Sequence, residues 1–531
     1  MEETDVILLV GSSTREAHPI FFHHVLKGVR NGARLYVVDP RRTSTAAWAD
    51  LHLPLHVGSD IALANAIGYV LIEQGLVDHD FVRRATTGFD AWAEAVQRYR
   101  PEDVEDVTGV PAAQIRQLAI EYGKADRGVI CWTLGITEHH NAVDNVRALI
   151  NLSLATGKIG RWGCGLNPLR GQNNVQGGGD MGALPNKFPG FQDVVDPVAR
   201  ARVRGVWGDI DRTPEKPGWH LTAMFDAMHR GDLRGLWIFG ENPAQSEANS
   251  GHAVACLKQL DHLVVQDIFL TKTAELADVV LPGTASWCES EGSVTNSERR
   301  VQRCRQAVPA PEGARDDIDI LVQTAKRLGV DLGVHTPYEA WEELRQVSPM
   351  HAGMSWARME AEDGLQWPCP SEDHPGTPFL HARLWEDPVP GKPAPFAVVE
   401  WAPVAEPVDE TYPLLLTTGR KLDGYNTGVQ SGHLGAPLSR GEALEIGPAT
   451  ATAHGLSEGD RVRVTSRRGM VETVVRIDPH LRQGLVFMTF HHPDQVDTNL
   501  LTVDTSDPAA GTAEFKAAAV RVERVSAAPA S

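Results

Sequence analysis

One stretch of this chain gathers groups suited to holding a small polar ligand. Asn167-Pro168-Leu169-Arg170-Gly171-Gln172-Asn173-Asn174-Val175-Gln176-Gly177-Gly178-Gly179-Asp180 sets a single arginine among amides and glycines. Such a run cannot build a core, but it can ring a ligand with donors; an exposed linker is the competing reading. Two aspartates suggest a second chemistry. Asp39 and Asp267 each follow an apolar strand, and a glycine turn lies 28 residues before the first and 27 before the second. Glycine at a strand end lets a pyrophosphate approach the backbone, and a later strand-end carboxylate can accept the polar hydrogens of a nucleoside. The pairs His23-His24, His139-His140 and His491-His492 look like metal ligands at first sight. Neighbours in a helix or strand point apart, and no third ligand stands at a sensible spacing, so they read as hydrogen-bonded or solvated histidines and no metal site is assigned.

These residues must be positioned by regular elements. Val6-Ile7-Leu8-Leu9-Val10 is an unbroken apolar run, as expected of a buried parallel strand. Gly11-Ser12-Ser13 turns it, Pro19 suits the first turn of a helix, and Leu35-Tyr36-Val37-Val38 is the next strand, ending at Asp39. The pattern returns in Leu236-Trp237-Ile238-Phe239, the turn Gly240-Glu241-Asn242-Pro243, and Leu263-Val264-Val265-Gln266 before Asp267. Asp39, Thr43, Thr45, Ala46, Ala49, Asp50, Leu53 and Pro54 align without a gap on Asp267, Thr271, Thr273, Ala274, Ala277, Asp278, Leu281 and Pro282. Eight identities in sixteen positions point to a duplicated unit. If both copies bind, the protein holds two similar nucleotides; a duplicated scaffold with one live site is the alternative.

Helical periodicity runs through Ile61–Gln74 and Ala112–Tyr122, and a helix near Val143–Ala155 ends in Thr156-Gly157-Lys158, where glycine is a usual stop. Residues 345–410, rich in Pro, Trp, Glu and Asp, read as a long surface connection. After Tyr412, period-two strands Arg461–Thr465, Val471–Ile477 and Leu485–Phe490, with Arg467-Arg468-Gly469 as a hairpin turn, predict a closed β-barrel. The expected organisation is α/β: one nucleotide-binding domain over 1–172, a second with a long connection over 173–409, and the barrel over 410–531. The net charge of −19 opposes nucleic acid and anionic membrane as partners. No apolar run approaches the roughly 18 residues that span a bilayer. The cysteines Cys131, Cys164, Cys256, Cys288, Cys304 and Cys369 are never closer than 16 residues, so a Cys-x-x-Cys metal or iron–sulfur motif is absent. Such sparse cysteines read as reduced thiols in the cytoplasm.

Together these segments resemble the molybdopterin oxidoreductases, and most nearly the formate dehydrogenase alpha subunits. The likeness is carried by Val10–Pro19, Val38-Asp39-Pro40-Arg41, Gly58-Ser59-Asp60, Asn167–Met181, Gln266-Asp267-Ile268-Phe269, Ala277–Pro282, Glu291-Gly292-Ser293, Thr417-Thr418-Gly419-Arg420 and Asp507-Pro508 through Glu514-Phe515-Lys516. Arg170–Gly177 is the most specific of them. The resemblance implies two related Rossmann-like domains and a C-terminal double-psi-like barrel, the architecture of DMSO reductase and formate dehydrogenase. It implies molybdenum or tungsten bis(molybdopterin guanine dinucleotide) as cofactor, which makes the nucleotide of each α/β domain a dinucleotide. By position, Gly11, Ser12, Asp39 and Ser59 resemble contacts to one dinucleotide, and Asn242, Gln266, Asp267 and Asp278 contacts to the other. Gly419, Arg420, Asn499, Asp507 and Lys516 resemble the barrel's contacts. Arg170 and Gln172 are the catalytic candidates, Arg170 as the substrate arginine whose fork grips both formate oxygens.

The implied reaction is formate to CO2 with two electrons passed to the metal, and an iron–sulfur or diaphorase subunit as partner. Two departures stand out. The family opens with a Cys-rich 4Fe-4S segment and then Cys or selenocysteine followed by His; this sequence carries neither. It therefore reads as a C-terminal piece: a truncated reading frame, a split subunit or a decayed paralogue. Second, Leu134 and Glu138 stand where other branches often carry Met and Gln, and Glu138 near a cofactor would need a partner for its charge. The competing functions are a nitrate or S/N-oxide reductase of the same superfamily, which the Arg170 loop opposes, and a non-catalytic cofactor-binding subunit.

Overall fold

Val6–Val10 is buried at every position, as its unbroken apolar run requires of a central parallel strand. It lies between Arg34–Val38 and Gly128–Trp132 in a five-stranded sheet edged by Leu51–Leu53 and Gly165–Pro168, all parallel. The computed structural model describes residues 1–208, 215–429 and 440–525. The chain divides into two units: Met1–Leu169 with Ala244–Val254 and Phe379–Ser531, and Arg170–Pro243 with Ala255–Pro378. The segment 379–409, assigned from the sequence to the second α/β domain, falls in the first unit.

In the first unit, helix Asp60–Glu73 covers the sheet and is buried on nearly every side. This explains a sequence apolar all round its circumference rather than along one stripe. Helices Ala112–Lys124 and Ala142–Ala155 match the predicted helices to within two residues. The barrel closes in the order Leu414–Thr418, Leu485–Met488, Leu444–Ile446, Met470–Ile477, Arg461–Thr465 and Ala518–Arg524. Two of its pairings, 414–418 with 485–488 and 444–446 with 470–477, are parallel. Leu416, Ile446, Val462, Val464, Val486 and Val520 fill its interior without exposure. At about 1.5–3 kcal/mol for each fully buried side chain, this layer is a large share of the barrel's stability.

The second unit carries a parallel sheet in the order Val279–Pro282, His262–Asp267, Gly235–Phe239. Its succession of third, second and first strand repeats that of the first unit's opening strands. Gly292–Thr295, Arg300–Cys304 and Leu365–Gln366 form a separate antiparallel sheet.

The expectation of a surface connection over 345–410 does not hold. Met354, Met359, Trp367 and Cys369 are buried in the second unit, and Leu384, Phe396 and Val399 in the first. Ala394–Pro395 pairs with Thr86–Thr87, and the amides of Asn65 and Asn151 donate to the carbonyls of Val399 and Ala397. The prolines remove donors from this strap, and side-chain amides from distant helices satisfy its carbonyls instead.

Candidate cofactor and substrate site

The two βαβ units agree in detail. Gly11 and Gly240 turn their strands with φ of +55° and +58°, and each donates its N–H to the neighbouring strand, at Val38 and Gln266, over 2.8 Å. Asp39 Oδ1 accepts from Arg41 N at 2.9 Å; Asp267 Oδ1 accepts from Phe269 N at 2.9 Å. Thr45 Oγ1 accepts from Arg15 N at 2.9 Å, while Thr273 Oγ1 donates to Asn242 Oδ1 at 2.8 Å. Thus each aligned threonine ties to the segment after the glycine turn. Asp50 and Asp278 each accept a backbone N–H, from Leu35 at 2.8 Å and Leu263 at 2.7 Å. The aligned identities are therefore one hydrogen-bond scheme written twice.

That scheme also separates the predicted residues. Asp39 and Asp267 stand at the C-terminal ends of parallel strands, where α/β proteins bind ligands. Burial pushes the carboxyl of Asp39 up, against the pull of Arg41's charge; burial likewise raises Asp267. Asp278 sits at the other end of its sheet, holding the start of a strand. Gln266 Nε2 donates to Asp317 at 2.5 Å, while its buried Oε1 has no hydrogen-bond partner among the described residues. Ser12 and Ser59 are buried, the first 3.0 Å from Thr14 Oγ1 and the second donating to His56 O at 2.7 Å.

Cations gather where the first βαβ unit meets the barrel. Arg41 lies 3.6 Å over the buried Phe487 ring, and a Cβ added to Gly419 would come within 3.3 Å of its guanidinium. Arg420 stacks on Tyr425, with Nε donating to Gly424 O at 3.3 Å. Lys421 also faces Phe487, at 5.8 Å, and Lys516 Nζ donates to Thr418 O at 3.4 Å. Lys516 in addition pairs with Glu138 at 2.6 Å, which supplies the partner this carboxylate needs. Lys421 pairs with Glu445, so of the four cations around Gly419 two, Arg41 and Arg420, have no carboxylate partner among the described residues. Asn499 and Asp507 serve the frame around them. Asn499 donates to Gln245 O at 2.8 Å, and Asp507 accepts three backbone N–H groups, one from Val143 in the first turn of helix Ala142–Ala155.

Sequence reasoning missed Arg41, Lys421 and a buried histidine–carboxylate cluster. His139 and His140, expected to point apart, converge on Glu514. They lie beyond the short helix Leu134–Thr137 rather than inside an element, so the rule for neighbours does not apply. His139 Nδ1 is 2.9 Å from one Glu514 oxygen, and His140 Nδ1 and N are each 3.0 Å from the other. Burial raises the Glu514 carboxyl, but the histidines outweigh it and hold the group at about 2.

In the second unit, Arg170, Gln172 and Asn173 are exposed at the start of the amide-rich loop. The loop is built rather than slack. Val175–Asp180 is helical, Asn174 enters it at φ +60°, and Asn174 Oδ1 accepts from Thr295 N at 2.9 Å. Gly177 is required because a Cβ there would overlap the Asn174 side chain. Arg170 Nε donates to Gln176 Oε1 at 3.0 Å.

Comparison with known proteins agrees with this architecture. Residues 1–327 match the family described as Molybdopterin oxidoreductase, and residues 414–519 match the Molydopterin dinucleotide binding domain. The F420-dependent formate dehydrogenase 2 subunit alpha of Methanococcus maripaludis is 42% identical over 532 residues, covering 99% of this chain and 77% of that protein. Formate dehydrogenase H of Escherichia coli is 36% identical, covering 99% and 73%. The assimilatory nitrate reductase catalytic subunit of Bacillus subtilis is 33% identical, covering 98% and 74%. The solved structure of acetylene hydratase from Pelobacter acetylenicus superposes with a TM-score of 0.74 at 21% identity over 99% of this chain and 78% of that one, a likeness of fold. A pair of glycine-turned βαβ units with a closed barrel thus goes with matches to an oxidoreductase family and a dinucleotide binding domain. The chain belongs to the molybdopterin oxidoreductase family.

Proposed function

We propose that this protein oxidises formate to CO2, releasing one proton and two electrons, on a molybdenum or tungsten bis(molybdopterin guanine dinucleotide) cofactor. The observation that carries the reading is Arg170, held through its Nε at the head of the amide-rich loop, in a chain alike along its length to formate dehydrogenase alpha subunits. The residues present suit the cofactor. Asp39 and Asp267 can each take the paired N1 and N2 hydrogens of a guanine, and Gln266 Oε1, without a partner among the described residues, offers a further acceptor. Arg41, Arg420, Lys421 and Lys516 suit pyrophosphate and pterin oxygens. When bound, the metal centre supplies the two-electron acceptor.

The chain's own task is binding and orientation. Formate is a planar anion with two equivalent oxygens, and a guanidinium fork matches both at once. Gripping the oxygens turns the C–H bond away from the arginine, which converts a tumbling encounter into one approach. Gln172 stands two residues on and offers an amide donor to the same anion. An iron–sulfur or diaphorase partner subunit would carry the electrons onward. The test is formate-dependent reduction of a viologen dye by the holoenzyme, with metal content measured in parallel. Arg170→Ala should lower kcat/KM by roughly 30- to several-thousand-fold, the cost of leaving the bound carboxylate without its charged hydrogen-bond partner. Turnover of nitrate in place of formate would overturn the reading.

A further inference from the structure

Arg170 heads a chain of hydrogen bonds that ends in a buried acid. Arg170 Nε donates to Gln176 Oε1 at 3.0 Å, and Gln176 Nε2 donates to Asp180 Oδ1 at 2.7 Å. The second Asp180 oxygen accepts from Trp367 Nε1 at 2.7 Å. Asp180 is 0% exposed, and burial pushes its carboxyl up to about 6 against the pull of Gln176 and Trp367. Trp367 is itself fixed: Arg299 lies 5.2 Å over its ring, bonds to its carbonyl, and reaches Thr377 O at 3.0 Å. An acid buried in this way costs stability that an apolar residue would not, so its position calls for a reason beyond packing.

The bonds have a direction. A carboxylate only accepts, and an indole N–H only donates. Asp180 therefore demands the NH2 face of the Gln176 amide. That turns Gln176 Oε1 toward Arg170, and the bond to Nε sets the plane of the guanidinium. The plane in turn aims the terminal nitrogens that grip a planar anion.

We propose that Asp180, acting through Gln176, is the positioning residue that aims the fork of Arg170. The proposal rests on the reading of Arg170 as the formate-gripping residue.

Polarity gives a test that packing does not mimic. Asp180→Asn puts an NH2 where an acceptor is needed. Either two donors meet at Trp367, or the Gln176 amide flips and shows its NH2 to Arg170. Adding Gln176→Glu restores every bond: Asn at 180 accepts from Trp367 and donates to Glu at 176, whose other oxygen accepts from Arg170. In the holoenzyme, Asp180→Asn should raise the formate KM and the inhibition constant of azide by roughly 10- to 100-fold, about the worth of one charge-assisted hydrogen bond. The double variant should return both to within about threefold of the parent. Gln176→Leu, which leaves Asp180 and Trp367 in place, should match the single variant and serves if Asp180→Asn does not fold. Unchanged KM and azide inhibition in Gln176→Leu, or a double variant no better than the single, would overturn the proposal. If the parent turns over no formate, the formate reading fails by itself. Crystal structures then decide: an Arg170 guanidinium displaced in Asp180→Asn and restored in the double variant upholds the relay, and one that never moves refutes it.

Discussion

A carboxylate with no exposure and two histidines beside it has a definite pH signature. Glu514 is held at about 2 in the fold, below its ordinary value of 4.5, so its contribution to stability is present above pH 4.5 and fades as pH falls toward 2. His139 moves the other way. Burial lowers it, but the charge and hydrogen bond of Glu514, the charge of Asp60 and the bond to Gly135 together outweigh burial and raise it above 6.5. Its contribution is complete below pH 6.5 and is lost as pH rises through the folded value. Asp60, pushed up to about 6 mainly by burial, acts in the opposite sense and costs stability as pH rises from about 4 to 6. Comparing parent with Glu514→Gln at each pH reads the pair together with its coupling to Asp60. The gap in unfolding free energy should reach about 3–5 kcal/mol between pH 4.5 and 6.5 and shrink on either side. A gap that stays flat from pH 4 to 9 would show that the pair is not ionised. Little of this cluster was legible in the sequence. Glu514 lies 374 residues from His140, and nothing local marks the two as neighbours. Asp39 and Asp267 were legible because their signal, a strand, a glycine turn and a carboxylate, is contained in one short segment.

At the scale of elements, the two glycine turns make a matched pair with different surroundings. Both adopt left-handed φ, which costs a residue with a side chain about 1–2 kcal/mol. Gly11 also packs on another backbone: a Cβ there would come within 2.7 Å of the Gly135 carbonyl carbon, and Gly11 O accepts from Gly135 N and Thr133 Oγ1. A Cβ on Gly240 would meet nothing within 4 Å. Gly240→Ala is therefore expected to cost about 1–2 kcal/mol in urea unfolding and Gly11→Ala clearly more, since backbone cannot step aside as a flexible side chain can. Equal costs would mean that the Gly135 turn yields freely. Regular elements were the most legible part of the chain. Helices such as Ala112–Lys124 and the alternating barrel strands announce themselves by period, because one repeating face meets one core. The strap through 379–409 has no period. Its prolines and acids look like surface, and its burial depends on Asn65 and Asn151, which belong to other elements.

For the molecule as a whole, the duplication raises the question of how many nucleotides it holds. Both copies keep the glycine turn, the strand-end aspartate and the same backbone bond to that aspartate. They differ two residues on, where Arg41 of the first copy aligns with Phe269 of the second. Arg41 joins the cations around Gly419, so the first copy has a ready counter-charge for pyrophosphate within its own unit. The second copy has Gln266 beside Asp267, its Oε1 without a partner among the described residues. The strand-end carboxylate and the open acceptor beside it favour two live sites over a scaffold with one. The holoenzyme, hydrolysed in acid, should therefore release two GMP for each molybdenum or tungsten atom, read by chromatography against elemental analysis. Asp39→Ala and Asp267→Ala should each lower the retained cofactor, because each leaves one guanine without its paired acceptor, a loss of about 2–5 kcal/mol for a buried charged partner. The barrel cations stay in place in both variants, so residual cofactor should remain more salt-sensitive than in the parent, where hydrogen bonds to the base supplement charge. One GMP per metal, or full cofactor retention in either alanine variant, would identify that copy as scaffold and leave the other as the single nucleotide site.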